Sequence, residues 1–113
     1  LTGAIIVTTP QDLALLDVKK GADMFEKVNT PVIGVIENMT HFLCPNCNQS
    51  SKIFPGTGGA DESNRLDVPL LGGIHLSPEL AMSADEGKPY VLQYESSLIA
   101  KEYSKIAHHL KQL

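Results

Sequence analysis

The stretch Phe42-Leu43-Cys44-Pro45-Asn46-Cys47 holds the chain's two cysteines, and their types and spacing are the strongest chemical signal in the sequence. A Cys-x-x-Cys pair closes a short chelate loop, so its two thiolates can take adjacent corners of a tetrahedral zinc or iron site. Such a site takes four ligands, and the pair supplies two. The other candidate ligands are His41, His75 and the His108–His109 pair, none at zinc-finger spacing from the cysteines. On residues alone three readings stand open: a redox-active thiol pair, a structural zinc half-site with nearby histidines, and a metal or cluster shared between two chains. Two ordinary thiols in a loop are the plain alternative. The redox reading expects the pair at a helix N-terminus, whose dipole lowers the thiol pKa, and Asn48-Gln49-Ser50-Ser51 running into Ile53-Phe54-Pro55-Gly56 does not read as that helix.

Other polar candidates carry less. Gly56-Thr57-Gly58-Gly59 invites a phosphate-loop reading, but Ala60-Asp61 follows where that loop needs Lys and Ser or Thr, so it reads as a turn entering a helix. His75 at the end of a strand, and His108 and His109 in an amphipathic helix, read as surface residues. Asp12 reads as a helix cap, and Asp17 with Lys20 as an i,i+3 surface pair.

Several elements must position these groups. Gly3 to Thr9 is a non-alternating apolar, β-branched run, as expected of a strand buried on both faces of a parallel sheet. Thr9, Pro10 and Asp12 predict a helix start, and Leu15, Val18, Ala22, Phe25 and Val28 give it one apolar stripe. Pro31 to Glu37 reads as a second buried strand, giving a parallel βαβ unit, with Glu37-Asn38-Met39-Thr40 leaving its C-terminal end. A short helix is expected over Ala60–Leu66, a third strand over Val68–Ile74, and a helix capped by Ser77 with Pro78 at its first position, ending near Gly87. Lys88 to Ser96 reads as loop. From Ser97 a last helix buries Ile99, Tyr103, Ile106, Leu110 and Leu113 and exposes Lys101, Glu102, Lys105 and Lys111.

The 113 residues suit one domain with one core, at 42% apolar and 19% charged. A net charge of −4 with unclustered basic residues argues against nucleic acid as partner. No apolar run approaches the roughly 20 residues that span a bilayer, and the expectation is a soluble intracellular chain whose thiols stay reduced. The first residue is not Met and a strand opens almost at once, so a fragment is expected.

Val7-Thr8-Thr9-Pro10-Gln11-Asp12 with Asp17 and Lys20, Gly34-Val35-Ile36-Glu37-Asn38-Met39, Cys44-Pro45-Asn46-Cys47, Ile53-Phe54 and Gly58-Gly59 together resemble one family. It is the Mrp-type P-loop ATPases, iron–sulfur cluster carriers and scaffolds that include the mitochondrial complex I assembly factor. The resemblance implies an α/β, mostly parallel, MinD-like P-loop NTPase fold in partial form, with residues 1–113 as the C-terminal part of a single ATPase domain whose N-terminal half is missing. It further implies a homodimer whose two Cys44/Cys47 pairs bridge a [4Fe–4S] cluster, with zinc the alternative metal, and delivery to iron–sulfur apoproteins. By the same resemblance Asn38 meets the adenine of ATP, and the loop from Ile74 to Pro78, with His75 and Pro78, lies along the base. Such a protein would sit in the mitochondrial matrix of a eukaryote or the cytoplasm of a bacterium. The family's phosphate-binding groups lie upstream, so no catalytic residue is expected here and the chain alone should not hydrolyse ATP. An unpaired strand edge and an uncovered sheet face are expected too. The rivals are a non-enzymatic zinc-binding interaction module, a thiol–disulfide oxidoreductase, and a partitioning ATPase of the same fold.

Overall fold

A computed structural model of the chain describes residues 2–10, 12–54 and 58–112, without the side chains of 12–19. The elements are β1 (Ala4–Thr8), α1 (Asp12–Lys27), β2 (Val32–Leu43), β3 (Ser50–Ser51), α2 (Gly58–Leu66), β4 (Leu70–Leu76), α3 (Pro78–Glu86), α4 (Tyr90–Gln93) and α5 (Leu98–Lys111). β1 and β4 both run parallel to β2, with Ile6 opposite Val35 on one side and Asn38 opposite Ile74 on the other.

The apolar runs fail to alternate because residues of both parities pack, each against a different helix layer, although Val7 at the end of β1 stays exposed. Ile6 and Val35 pack with Ala22 of α1, joined by Phe25 and by Leu66 of α2. Their sequence neighbours Ile5 and Ile36 turn the other way, onto a cluster of Leu71, Ile74, Ile99 and Ile106 that α5 closes. Both sheet faces therefore carry helices, which corrects the expectation of a wholly uncovered face, while Val7 leaves the end of β1 open on the face it shares with Ile5. Two glycines permit close layers: a Cβ on Gly34 would lie 2.5 Å from Leu71 Cγ, and one on Gly72 would lie 2.7 Å from Ile106 Cγ1.

Local chemistry ends the helices where expected. Asn29 turns left-handed (φ 57°) after α1, with the Thr30 N–H donating to Phe25 O at 2.9 Å. Ser77 Oγ accepts from the Leu80 N–H at 3.1 Å, Pro78 opens α3, and Gly87 at φ 70° closes it.

Four expectations are corrected. β2 does not end at Glu37 but continues to Leu43, past a left-handed Met39 (φ 56°), and folds back antiparallel onto β3. Lys88–Ser96 is not all loop: Tyr90–Gln93 forms a helical turn, with Tyr90 and Tyr94 stacked at 4.7 Å. Val28 lies beyond α1 and is exposed. In α5, Glu102 is drawn inward while Tyr103, expected in the stripe, is 40% exposed, because the apolar face is centred on Ile99 and Ile106. Leu1, Gln11, Pro55, Gly56, Thr57 and Leu113 lie outside the described residues, as do the side chains of the Asp12 cap, Leu15, Asp17 and Val18.

Candidate metal-binding hairpin

Both cysteines sit in the turn that joins β2 to β3. Phe42 and Leu43 pair with Ser51 and Ser50, and two backbone bonds close the turn: Cys44 N–H to Gln49 O at 3.0 Å and Asn48 N–H to Cys44 O at 2.9 Å. Asn48 takes the left-handed conformation there (φ 59°), which asparagine tolerates well. Cys44 is half-buried and Cys47 exposed, and neither forms a disulfide.

The nearby backbone N–H groups of Asn46 and Cys47, with the Cys47 thiol, are the donors that act on the Cys44 sulfur. These donors favour the thiolate and hold the Cys44 pKa below its ordinary value, against a slight upward push from burial. The two sulfurs therefore share one turn in which the Cys44 thiolate is favoured, and an electropositive metal centre matches that arrangement. Among the described residues no third His, Cys, Asp or Glu joins them in a group able to hold a metal. On one side Cys44 faces a cleft of about 490 Å³ whose far wall includes Tyr90, Tyr94 and Leu98.

The other sequence candidates fall nearby. Asn38 lies within β2 opposite Ile74, at the last regular position of the parallel ladder, and its Oδ1 accepts from the Met39 N–H at 3.0 Å. Ile74 and His75 belong to β4 rather than to a loop, leaving Ser77 as the link to Pro78, the first residue of α3. His75 is no isolated surface histidine: its Nδ1 faces Glu102 Oε2 at 2.9 Å, its Nε2 faces Ser50 Oγ at 3.0 Å, and its ring lies 5.6 Å from that of His41. His108 and His109 are exposed near the end of α5.

Sequence reasoning missed Glu102 and Ser50. Glu102 falls three residues after Ile99 and four before Ile106, so the border of the buried stripe was the available signal. Nothing local marked Ser50.

No helix among the described residues is long and apolar enough to cross a membrane. A ParA family model, described as NUBPL iron-transfer P-loop NTPase, matches residues 1–111. The chain is 47% identical over 113 residues to an iron-sulfur cluster carrier protein of Aquifex aeolicus (strain VF5), covering 100% of this chain and 31% of that protein. It is 41% identical over 114 residues to the iron-sulfur cluster transfer protein NUBPL of Dictyostelium discoideum, covering 100% and 35%. It spans about a third of the length of these curated relatives. Among solved structures it resembles the Pyrococcus furiosus cell division ATPase MinD, with a TM-score of 0.72, 25% identity, and 98% of this chain and 43% of that chain covered. A nucleotide-binding protein in complex with ADP from Archaeoglobus fulgidus matches with a TM-score of 0.63 and 29% identity, covering 87% and 42%. The fold is that of MinD-like P-loop NTPases.

Proposed function

The chain belongs to the NUBPL iron-transfer P-loop NTPase family, and from that premise we propose that it carries the cluster-gripping part of an iron–sulfur carrier. Cys44 and Cys47 supply two ligands to a [4Fe–4S] cargo, and the same hairpin of a second copy supplies the other two across a twofold axis. The observation that carries this reading is the turn itself. Two thiols meet in one backbone-closed loop whose neighbouring N–H groups favour the Cys44 thiolate, and no third ligand joins them among the described residues.

A cluster anchored by two bonds per chain at a subunit seam is easily released, which suits delivery to iron–sulfur apoproteins. In the intact protein Asn38 faces the adenine of ATP, its carboxamide nitrogen remaining a donor once Oδ1 has accepted from Met39. Pro78 and the turn before it lie along the base, and His75 supports that wall from within β4. The only glycine-rich stretch runs into Ala60-Asp61, without a phosphate-binding lysine, so this segment turns over no ATP by itself.

The test is anaerobic reconstitution of the intact protein with iron and sulfide, followed by absorption spectrum, iron and sulfide content, and mass. The expected product is a coloured dimer with four irons per two chains. A monomer with a full iron complement would sink the bridging arrangement, and a colourless zinc protein would put the interaction module first.

A further inference from the structure

We propose that Glu102, His75 and Ser50 form a relay that holds the cysteine hairpin in one pose against the sheet, with His75 as the positioning residue and its Nδ1–H tautomer as the working form. The proposal rests on reading that hairpin as the cluster-gripping element.

The hairpin needs such a tie. β3 contributes two residues, Ser50 and Ser51, both exposed, and its ladder to β2 is two residue pairs long. Leu43 ties the β2 limb to the core, but a ladder that short with only exposed serines on its other limb is marginal in water. β3 and β4 each pair with β2 and share no ladder of their own, so the His75–Ser50 bond links two strands across the one between them, beside the His41 ring.

The groups determine their own polarity. Glu102 accepts twice from the same residue, through Oε1 from the His75 backbone N–H at 3.1 Å and through Oε2 from Nδ1–H at 2.9 Å. Both partners are mostly buried, with side-chain exposures of 17% for His75 and 18% for Glu102. A carboxylate only accepts, so Nδ1 carries the proton; with the ring neutral, as the proposal takes it, Nε2 presents a lone pair that the Ser50 hydroxyl fills at 3.0 Å. A buried acid on α5 thereby fixes the ring, and the ring fixes the far limb of the hairpin. The order of groups matches a nucleophile–base–acid chain, but the cleft against the hairpin is lined by Cys44, Pro45 and Asn48 rather than Ser50. The chain of bonds thus ends on a hydroxyl that holds a strand.

The experiment uses the isotope-labelled intact protein without metal. Ring nitrogen shifts should report the Nδ1–H tautomer for His75, and Glu102→Gln, which turns an amide N–H toward Nδ1, should switch it to Nε2–H. Ser50→Ala should speed hydrogen exchange of the Cys44 and Asn48 amides by about fivefold, as expected for one lost hydrogen bond, with the Val35 amide in the parallel core unchanged. Ser50→Thr should restore slow exchange, and His75→Phe combined with Ser50→Ala should add little to either alone. A wild-type Nε2–H tautomer, unchanged hairpin exchange in Ser50→Ala, or an equal rise at Val35 would each overturn the relay. Because every readout is on metal-free protein, a hairpin that answers as described yet takes no iron removes the cluster reading and keeps the relay.

Discussion

The two halves of β2 behave differently. From Val35 to Glu37 the strand has parallel partners on both edges, and Val35 is completely buried; from Thr40 to Leu43 it is half-buried and becomes one limb of a hairpin with exposed serines opposite. Met39, left-handed at φ 56°, stands at the junction. A long, flexible residue in that conformation costs on the order of 1 kcal/mol, and it frees the second half from the register of the first. One strand thus gives the fold its core and leads into the cysteine turn, with a backbone break between the two tasks.

If the halves are separable, the largest effect falls on the hairpin alone. Cys44→Ser or Cys47→Ser should each abolish the cluster, since either removes two of four ligands from a bridged dimer, while denaturant unfolding of the metal-free protein shifts by less than about 0.5 kcal/mol. A variant that retains a cubane cluster would refute bridging. The converse change, Ile99→Ala at a completely buried position, should cost about 2–5 kcal/mol in the same unfolding measurement yet leave the folded fraction able to take up iron.

The junction should be sensitive to backbone shape. Met39→Val places a β-branched residue at positive φ and should destabilise by about 1–2 kcal/mol, with Met39→Gly costing less; the reverse order would mean that the side chain matters more than the conformation. On the core side of the break, if Asn38 faces adenine as proposed, Asn38→Ala in the intact protein should raise KM for ATP by about fivefold with kcat nearly unchanged, because such a contact is made equally in ground and transition states. A fallen kcat at constant KM would remove Asn38 from the base.

The smallest effect is electrostatic. With its pKa lowered by the Asn46 and Cys47 N–H groups, Cys44 should reach its plateau of alkylation rate at a lower pH in the native protein than in urea. The sign follows from linkage: the thiolate's contribution to stability is complete above the unfolded pKa and is lost as pH falls through the lower folded value. A native plateau at higher pH than in urea would contradict the donor geometry.

The parallel core was legible because both determinants of a doubly covered strand are local. Ile5-Ile6 and Val35-Ile36 are apolar at both parities, and Ser77-Pro78 and Asn29 mark helix ends by their own chemistry. The hairpin was legible in its cysteine pair and not in its form. Met39-Thr40-His41 carries no strand pattern, and Ser50-Ser51 becomes a strand only through pairing with a limb 7 residues back in sequence. Glu102 was placed on the exposed face because a carboxylate at the edge of an apolar stripe is normally solvated; here His75, 27 residues away in sequence, supplies its partners.

The cysteine turn is closed by bonds between backbone atoms, Cys44 N–H to Gln49 O and Asn48 N–H to Cys44 O, so its closure asks little of the side chains between them. In engineering terms the six residues from Cys44 to Gln49 are a portable insert. They can be grafted between the limbs of another antiparallel hairpin whose ends are spaced like Leu43 and Ser50, with the left-handed Asn48 as the main conformational demand. Such a graft carries the two thiols and the donors that face Cys44, but it leaves α5 behind, so its ligand geometry has to be set by whatever strand the new host supplies.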